Sequence, residues 1–453
     1  MNAAPTLEML DPATLTVDIN VRKDAALTPD FVASIKEHGV MEPVIAHRKE
    51  DGTVHVLMGQ RRTLGAVEAK RAEIPVMIIS SPEEAERIVT QVVENIQRAE
   101  LTDADEADAY HQLSLIGVSA AAIAKKTGRT KTTVEGALKA KASEVGTAAL
   151  GRGHTIEEAL ILAEFEDDEE ATAELASVIQ DEPDQLFHVA QQLRDDRVRA
   201  ATLAAYRAEV AATGTIIVER PGYGEEGTAS VTSLKRADGE PATEDDANAV
   251  YIIQDYRGEF STVPVIVDWK ELGFTERYTY HSSSANKGPM TEEQKAERKT
   301  LIANNKAMES ATTVRREFVK TLLAKKQAPK GWQYFTVHAI THHTDVARSY
   351  DGEVAAVMVS AKTDGEKSWG WNPLKDHVAK STTRPEFSLV ALVCAGYEKT
   401  IAKDSWRNPF QSHRDYLNQL VIWGYTPSEV EQIIIDSDKP VEEDTAEENI
   451  EAA

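Results

Sequence analysis

The apolar spacing changes character several times along the chain, and this constrains the fold more than any other feature. Residues 15–98 alternate short β-branched runs with helix-type segments. Residues 102–213 are rich in Ala, Leu and Glu with few strand signals, and after Gly214 β-branched runs return between Gly, Pro and Asp clusters. Strand side chains repeat every two residues and helical ones every 3.6, so one sheet or one bundle cannot absorb all three patterns. At roughly 100–200 residues per domain, 453 residues suggest two to four folding units. The expectation is an α+β multidomain chain with a small α/β domain at 1–112 and an all-α domain at 113–213. A β-rich insertion or linker follows at 214–290, then a mixed α/β C-terminal region at 291–435. From Asp436 to the end eight acids face one lysine, which reads as an acidic disordered tail.

The remaining bounds are exclusions. Cys394 is the single cysteine, so no disulfide framework and no Cys-rich zinc centre forms within one chain. That suits a reducing, cytoplasmic setting. The first 21 residues hold no Lys or Arg and no apolar run, unlike a signal peptide. The longest apolar stretch, near residues 387–397, falls short of the ~20 residues of a membrane span, so no membrane partner is expected. A net charge of −25 argues against nucleic acid unless cations are concentrated locally.

Within the first domain, Pro29 opens a helix behind the Thr28 cap, Phe31, Val32 and Ile35 give it an apolar face, and Gly39 ends it. Residues 43–47 and 54–58 read as strands around an Asp51-Gly52 turn, with another strand at 75–79. Gly59 breaks the second strand and leads into Gln60-Arg61-Arg62 at a helix start. Unpaired backbone N–H groups, the positive end of the helix dipole and two guanidinium groups would converge there, a place suited to polyphosphate. Pro82 opens a helix with Ile88, Val92 and Ile96 on one face, and near its end stands Glu94-Asn95-Ile96-Gln97-Arg98. Adjacent carboxylate and amide oxygens can hold Mg²⁺, and Arg98 can pair with Glu94 or meet phosphate. Each cluster alone also reads as solvated surface charge.

Local charge is found in the second domain. Residues 118–141 carry six basic residues and one acid, Glu135, a segment of +5 in a chain of −25. Ser119 can cap a first helix in which Ile123 packs, and Gly128 supplies a sharp corner. Arg129-Thr130-Lys131-Thr132-Thr133-Val134 then starts a second helix whose small hydroxyl and basic side chains suit major-groove entry. On this reading Arg129, Thr130, Lys131, Thr132 and Thr133 contact DNA, with Lys125, Lys126 and Lys139 on phosphates. A generic αα-hairpin with a basic face is the plainer alternative. Residues 156–185 hold twelve acids and no base, so the following helices should pack rather than bind.

Gly39-Val40-Met41-Glu42-Pro43-Val44, then Gly59-Gln60-Arg61-Arg62-Thr63-Leu64-Gly65-Ala66, then Glu94-Asn95-Ile96-Gln97-Arg98-Ala99-Glu100-Leu101 resemble the three ordered motifs of the ParB partition family. The likeness continues through residues 105–110 into the helix-turn-helix and covers roughly residues 15–195. It implies a CTP-binding N-terminal domain. By position, Gly59, Gln60, Arg61 and Arg62 would meet the triphosphate, Glu94 and Asn95 would hold Mg²⁺, Arg98 would complete the pocket, and Gly39 and Pro43 would line it from the other side. It also implies a homodimer on a specific, palindromic duplex site, closing as a CTP-dependent sliding clamp, with a ParA-type ATPase as partner.

Three departures stand out. Gln60 replaces the glutamate usual in the second motif, and Asn20 stands where many members have Gln before Pro-Arg. These are the two positions where catalytic groups would be sought, so binding without efficient hydrolysis, a slow CTPase at most, is expected. No Lys or Arg precedes Arg22, where many members carry a basic peptide for the ATPase. Gly153-His154-Thr155 resembles the family's G-H-A entry to the next helix but lacks the Arg some members place after the His.

Other signals weigh less. Gly222-Tyr223-Gly224-Glu225-Glu226-Gly227 spells GxGxxG without a helical pattern after it, and two glutamates would meet the pyrophosphate. His338 and His342 form an i, i+4 pair, with His343 adjacent, but Ala339 stands where a zincin's glutamate belongs, so satisfied or surface histidines are the simpler reading. Trp332, Trp369, Trp371, Trp406 and Trp423 read as core or interface, and the helical pair near residues 417–435 as a dimerisation element. The leading expectation is a DNA-associated partition protein of a plasmid, phage or chromosome. A ParB-like transcriptional regulator using the same helix-turn-helix is the first alternative, and a ParB-like nuclease, lacking a visible metal cluster near Arg61 or Glu94, the weaker one. The sequence assigns no role to residues 214–435.

Overall fold

A computed structural model describes residues 6–17, 27, 29–41, 43–49, 51–79, 92–93, 96, 101–115, 118–221, 227–255, 258–277, 290–349, 351–362, 372–381 and 383–438. Its compact units are residues 1–183 and 184–453.

The first unit begins with β1 (Thr6–Leu10), α1 (Pro29–His38), β2 (Val44–Arg48), β3 (Val54–Met58), α2 (Gln60–Glu68) and β4 (Ile74–Ile79). The strands form one sheet in the order β1-β4-β2-β3, with β2 parallel to β4 and the other pairs antiparallel. Ile35 of α1 and Ala66 of α2 share a buried core with Val44, Ala46, Val54, Val56, Ile74 and Val76. The strands expected at 43–47, 54–58 and 75–79 and the helices expected from Pro29 and from Gln60 form, with ends shifted by a residue or two. β1, which the sequence reading missed, pairs along β4 through backbone hydrogen bonds that its half-exposed side chains do not advertise. Of the helix expected after Pro82, Val92, Val93 and Ile96 are described and helical.

Six helices follow in this unit among the described residues: α3 (Asp103–Leu115), α4 (Ala120–Thr127), α5 (Lys131–Ala142), α6 (Glu144–Gly151), α7 (Ile156–Glu164) and α8 (Glu169–Asp181). Their starts follow the side chains. Ser119, Thr130, Ser143 and Asp168 each accept a hydrogen bond from a first-turn amide, and Thr155 with Glu158 forms a capping box. Tyr110, Leu113, Ile123, Val134, Ala137, Leu162 and Leu175 are buried, so these helices pack around apolar stripes.

The second unit opens with α9 (Leu186–Ala212). Composition groups α9 with the preceding helices, yet its side chains bond later elements. Gln185 Nε2 and the His188 ring bond the carbonyls of Pro427 and Thr426 at 3.1 and 2.9 Å, and Asp195 accepts from Ser310 Oγ at 2.6 Å. The β-rich segment holds β5 (Thr228–Ser230), β6 (Leu234–Lys235), β7 (Ala249–Gln254), β8 (Phe260–Val267) and β9 (Thr275–Glu276), in a sheet β5-β8-β7 and a pair β6-β9. Residues 215–219, expected as a strand, touch β7 through a single bridge at Ile217.

From residue 292 every described element is a helix: α10 (Glu292–Leu323), α11 (Trp332–His342), α12 (Thr344–Arg348), α13 (Gly352–Met358), α14 (Pro373–Lys380), α15 (Pro385–Thr400), α16 (Gln411–Ile422) and α17 (Glu429–Asp436). The mixed α/β expectation for 291–435 therefore becomes all-helical among the described residues. The reason is burial: α15 is buried over most of its circumference, including Val390, Ala391, Cys394, Ala395 and Tyr397, so no clear amphipathic stripe marks it as a helix. Trp332, Trp406 and Trp423 pack against this core, as read, while Trp369 and Trp371 lie outside the described residues.

The core of these helices also encloses charge. Arg315 is fully buried and donates to Glu398 from Nε (2.6 Å) and Nη2 (2.8 Å), and to Glu431 from Nη1 (2.6 Å). Burial works against its charge, but the two carboxylates prevail and hold the guanidinium protonated well above its ordinary range. Tyr416 and Tyr425 donate to Glu398 and Glu431 at 2.9 and 2.8 Å, so the carboxylates are satisfied as well as paired.

Candidate nucleic-acid interface and nucleotide corner

The β3–α2 junction turns on Gly59, at φ 89° and ψ 20°, a left-handed conformation that L side chains resist. A Cβ there would also stand 3.3 Å from Val44 Cγ2. Glycine provides no side-chain cap for the start of α2. Thr63, buried at 1%, returns its amide to the Gly59 carbonyl at 3.0 Å and anchors the turn.

Around this corner the described cations are held in different ways. Arg61 lies over the Phe31 ring of α1, 4.4 Å from its centroid. Arg62 Nη1 donates to the Pro43 carbonyl at 3.1 Å, tying the first motif to the second. Arg71, absent from the sequence reading, brings Nη2 to 3.1 Å from where a Cβ on Gly39 would stand. Pro43, Gly59 and Arg62 are thus brought together where α2 meets β2, while Gly39 stands against Arg71 beyond α2. The side chain of Gln60, and Asn20, Glu94, Asn95 and Arg98 entirely, lie outside the described residues, as do Gly222 to Glu226. Gly227 leads into β5, a strand rather than the helix a dinucleotide fingerprint requires.

The α4–turn–α5 unit is a helix-turn-helix. Gly128 is left-handed at φ 75° and its amide closes on the Ala124 carbonyl, ending α4. Thr130 then caps α5, accepting from Thr133 N at 3.1 Å, with the two hydroxyls 2.7 Å apart. Lys131, Thr132 and Thr133 are exposed on the first turn of α5, while Val134, Ala137 and Ala140 are buried beneath it. Lys125 and Lys126 are exposed at the end of α4. Lys131 pairs with Glu135 at 3.1 Å on open surface, a contact worth about 0.3–0.5 kcal/mol. Lys139 borders a groove that it shares with Glu164 and Glu166.

Arg129 turns toward the supporting helix α3. Its Nε and Nη2 donate to the two oxygens of Glu106 at 2.8 and 3.1 Å, and Tyr110 OH donates to the same carboxylate. Glu106 raises the guanidinium pKa, while burial and the bond to Glu106 push the Tyr110 phenol up. Lys141 pairs likewise with Asp108 at 2.6 Å. Two of the six basic residues counted over 118–141 therefore hold the hairpin to α3. No local signal links Glu106 to a partner 23 residues away.

Comparison with known proteins bears on this unit. The ParB N-terminal domain family matches residues 7–96. The "Probable chromosome-partitioning protein ParB" of Treponema pallidum (strain Nichols) is 33% identical over 138 residues, 30% of this chain and 42% of that protein. The "Nucleoid occlusion protein" of Geobacillus sp. (strain WCH70) is 30% identical over 153 residues, 33% of this chain and 54% of that one. The chain thus spans about half the length of these relatives, and the matched part is about a third of its own. The C-terminally truncated chromosome-partitioning protein ParB of Caulobacter crescentus, complexed to the centromeric parS site, is 23% identical over 38% of this chain and 90% of that one, with a TM-score of 0.19. An overlap of that quality fixes no residue correspondence. Among the described residues no helix is long and apolar enough to cross a membrane.

Proposed function

We propose that this chain, whose residues 7–96 match the ParB N-terminal domain family, is a site-specific DNA-binding partition protein acting as a CTP-dependent clamp. The observation that carries the DNA-binding half is the exposed first turn of α5, Thr130 to Thr133, set on a locally basic hairpin whose corner is pinned by Arg129 and Glu106. Phosphates attract the cations while the short hydroxyl side chains reach base edges. Support for the nucleotide half is the Gly59 corner, with its uncapped helix start, Arg61 and Arg62. In this reading Glu94 and Asn95 hold Mg²⁺, Arg98 completes the pocket, and two copies clamp a palindromic site. Gln60 and Asn20 leave hydrolysis slow, and a ParA-type ATPase acts as partner.

Two measurements on the full chain test it. Sites recovered from random duplexes should bind tightly, and Lys131→Ala should weaken binding and lower the salt slope by about 1. An unchanged slope sinks the interface. CTP should bind in preference to other nucleotides, and Asn95→Ala should weaken its Mg²⁺-dependent binding. Equal affinity for all nucleotides removes the clamp while leaving the DNA reading intact. A second reading is a ParB-like transcriptional regulator using the same helix-turn-helix without partition, and the match to a nucleoid occlusion protein keeps a role other than partition open to test. A ParA-type gene beside this one argues for the first.

A further inference from the structure

The sequence suggests His338 and His342 as a pair, but the structure assembles a different set. His338, on the last turns of α11, His343, which caps that helix, and Asp415 of α16 bring one ligand atom each to within 4.8 Å of one another. His343 is 8% exposed, and its Nε2 lies 2.8 Å from Asp415 Oδ2. That pair alone would be an ordinary hydrogen bond. What it does not explain is the third group, because His338 turns its ring edge-on to His343 at 5.4 Å between centroids, although half-exposed and able to face water.

We propose that His338, His343 and Asp415 form a binding site for a divalent transition metal of the zinc class. Two imidazoles and a carboxylate suit such an ion, and three protein ligands leave a fourth position for water. In a tetrahedral site with bonds near 2.0–2.1 Å the ligand atoms stand roughly 3.3 Å apart, so separations of up to 4.8 Å close by at most about 1.5 Å while the His343–Asp415 pair, at 2.8 Å, opens by about 0.5 Å. The surroundings orient the ligands. Gln411 Nε2 donates to Asp415 Oδ1 at 2.8 Å, leaving Oδ2 for the site, and Gln411 Oε1 accepts from Arg414 Nη2 at 2.7 Å. The Tyr397 ring meets His343 edge-on at 6.0 Å. Outer contacts of this kind fix ring and carboxylate orientation in metal centres. His342 stacks on His338 at 4.3 Å with its Nδ1 2.8 Å from the Thr341 hydroxyl, and stays outside the ligand set.

The test uses the full chain, stripped with chelator and titrated with Zn²⁺, with Co²⁺ absorption reporting coordination. Wild type should take up one ion per chain, with a rise in melting temperature that chelator reverses. His338→Ala and Asp415→Asn should each weaken binding by at least about tenfold, whereas His342→Ala should change it by less than about threefold. His338→Gln replaces the alanine variant if the latter melts early without metal. Failure to bind Zn²⁺, or binding that His338 and Asp415 substitutions leave at wild-type strength, overturns the proposal.

Discussion

At Gly59 two demands meet: a left-handed backbone at φ 89° and a wall formed by Val44, 3.3 Å from where a Cβ would stand. Alanine there should cost about 1–2 kcal/mol through the backbone term alone. We expect Gly59→Ala to speed hydrogen exchange of the β2 and β3 amides about tenfold and to weaken CTP binding. Unchanged protection would mean the turn relaxes without strain. Arg62 shows how a side chain can be legible in type but not in use. Its guanidinium was assigned to phosphate from sequence, and the structure holds Nη1 on the Pro43 carbonyl, so one nitrogen is committed to joining two motifs.

Among the elements, the helix-turn-helix was the most readable, since Ser119, Gly128 and Thr130 act within four residues of their own backbone partners. Arg129 was not readable in the same way. Its place in the turn suggests groove contact, but its partner is Glu106 of α3. The Arg129 side chain is 55% exposed, so the pair is worth about 1 kcal/mol at most after screening. Arg129→Ala should lower the stability of the first unit by that order and weaken DNA binding without changing the salt slope, in contrast to Lys131→Ala. A slope reduced equally by both would return Arg129 to the phosphate contacts. Element type failed where burial is most extensive: α15 carries buried residues on most of its circumference and reads from sequence as easily as a strand.

Across the molecule, the helical core of the second unit also seals the single thiol. Cys394 is fully buried, and burial first, then Glu398, pushes its pKa up. The thiolate is the reactive form, so a thiol reagent should modify the native chain about 100-fold more slowly than the chain in denaturant. The rate then reports opening of this core, and rapid stoichiometric labelling of the native protein would contradict the packing. The Arg315–Glu398–Glu431 network lies beside it and makes the same core intolerant of losing one charge.

What the sequence determined by itself was local: the change of apolar period, the caps, the left-handed corners at Gly59 and Gly128, and a basic hairpin in an acidic chain. Those signals act over a turn of helix or a hairpin loop, where covalent geometry already brings the partners together. Only the tertiary structure decided which charges are spent inside. Arg129 meets Glu106 across 23 residues, His343 meets Asp415 across 72, and Arg315 meets Glu398 and Glu431 across 83 and 116. Such pairs depend on which faces of separate helices are buried together, and a solvated cation, a clamp and a metal ligand look alike until that packing is known.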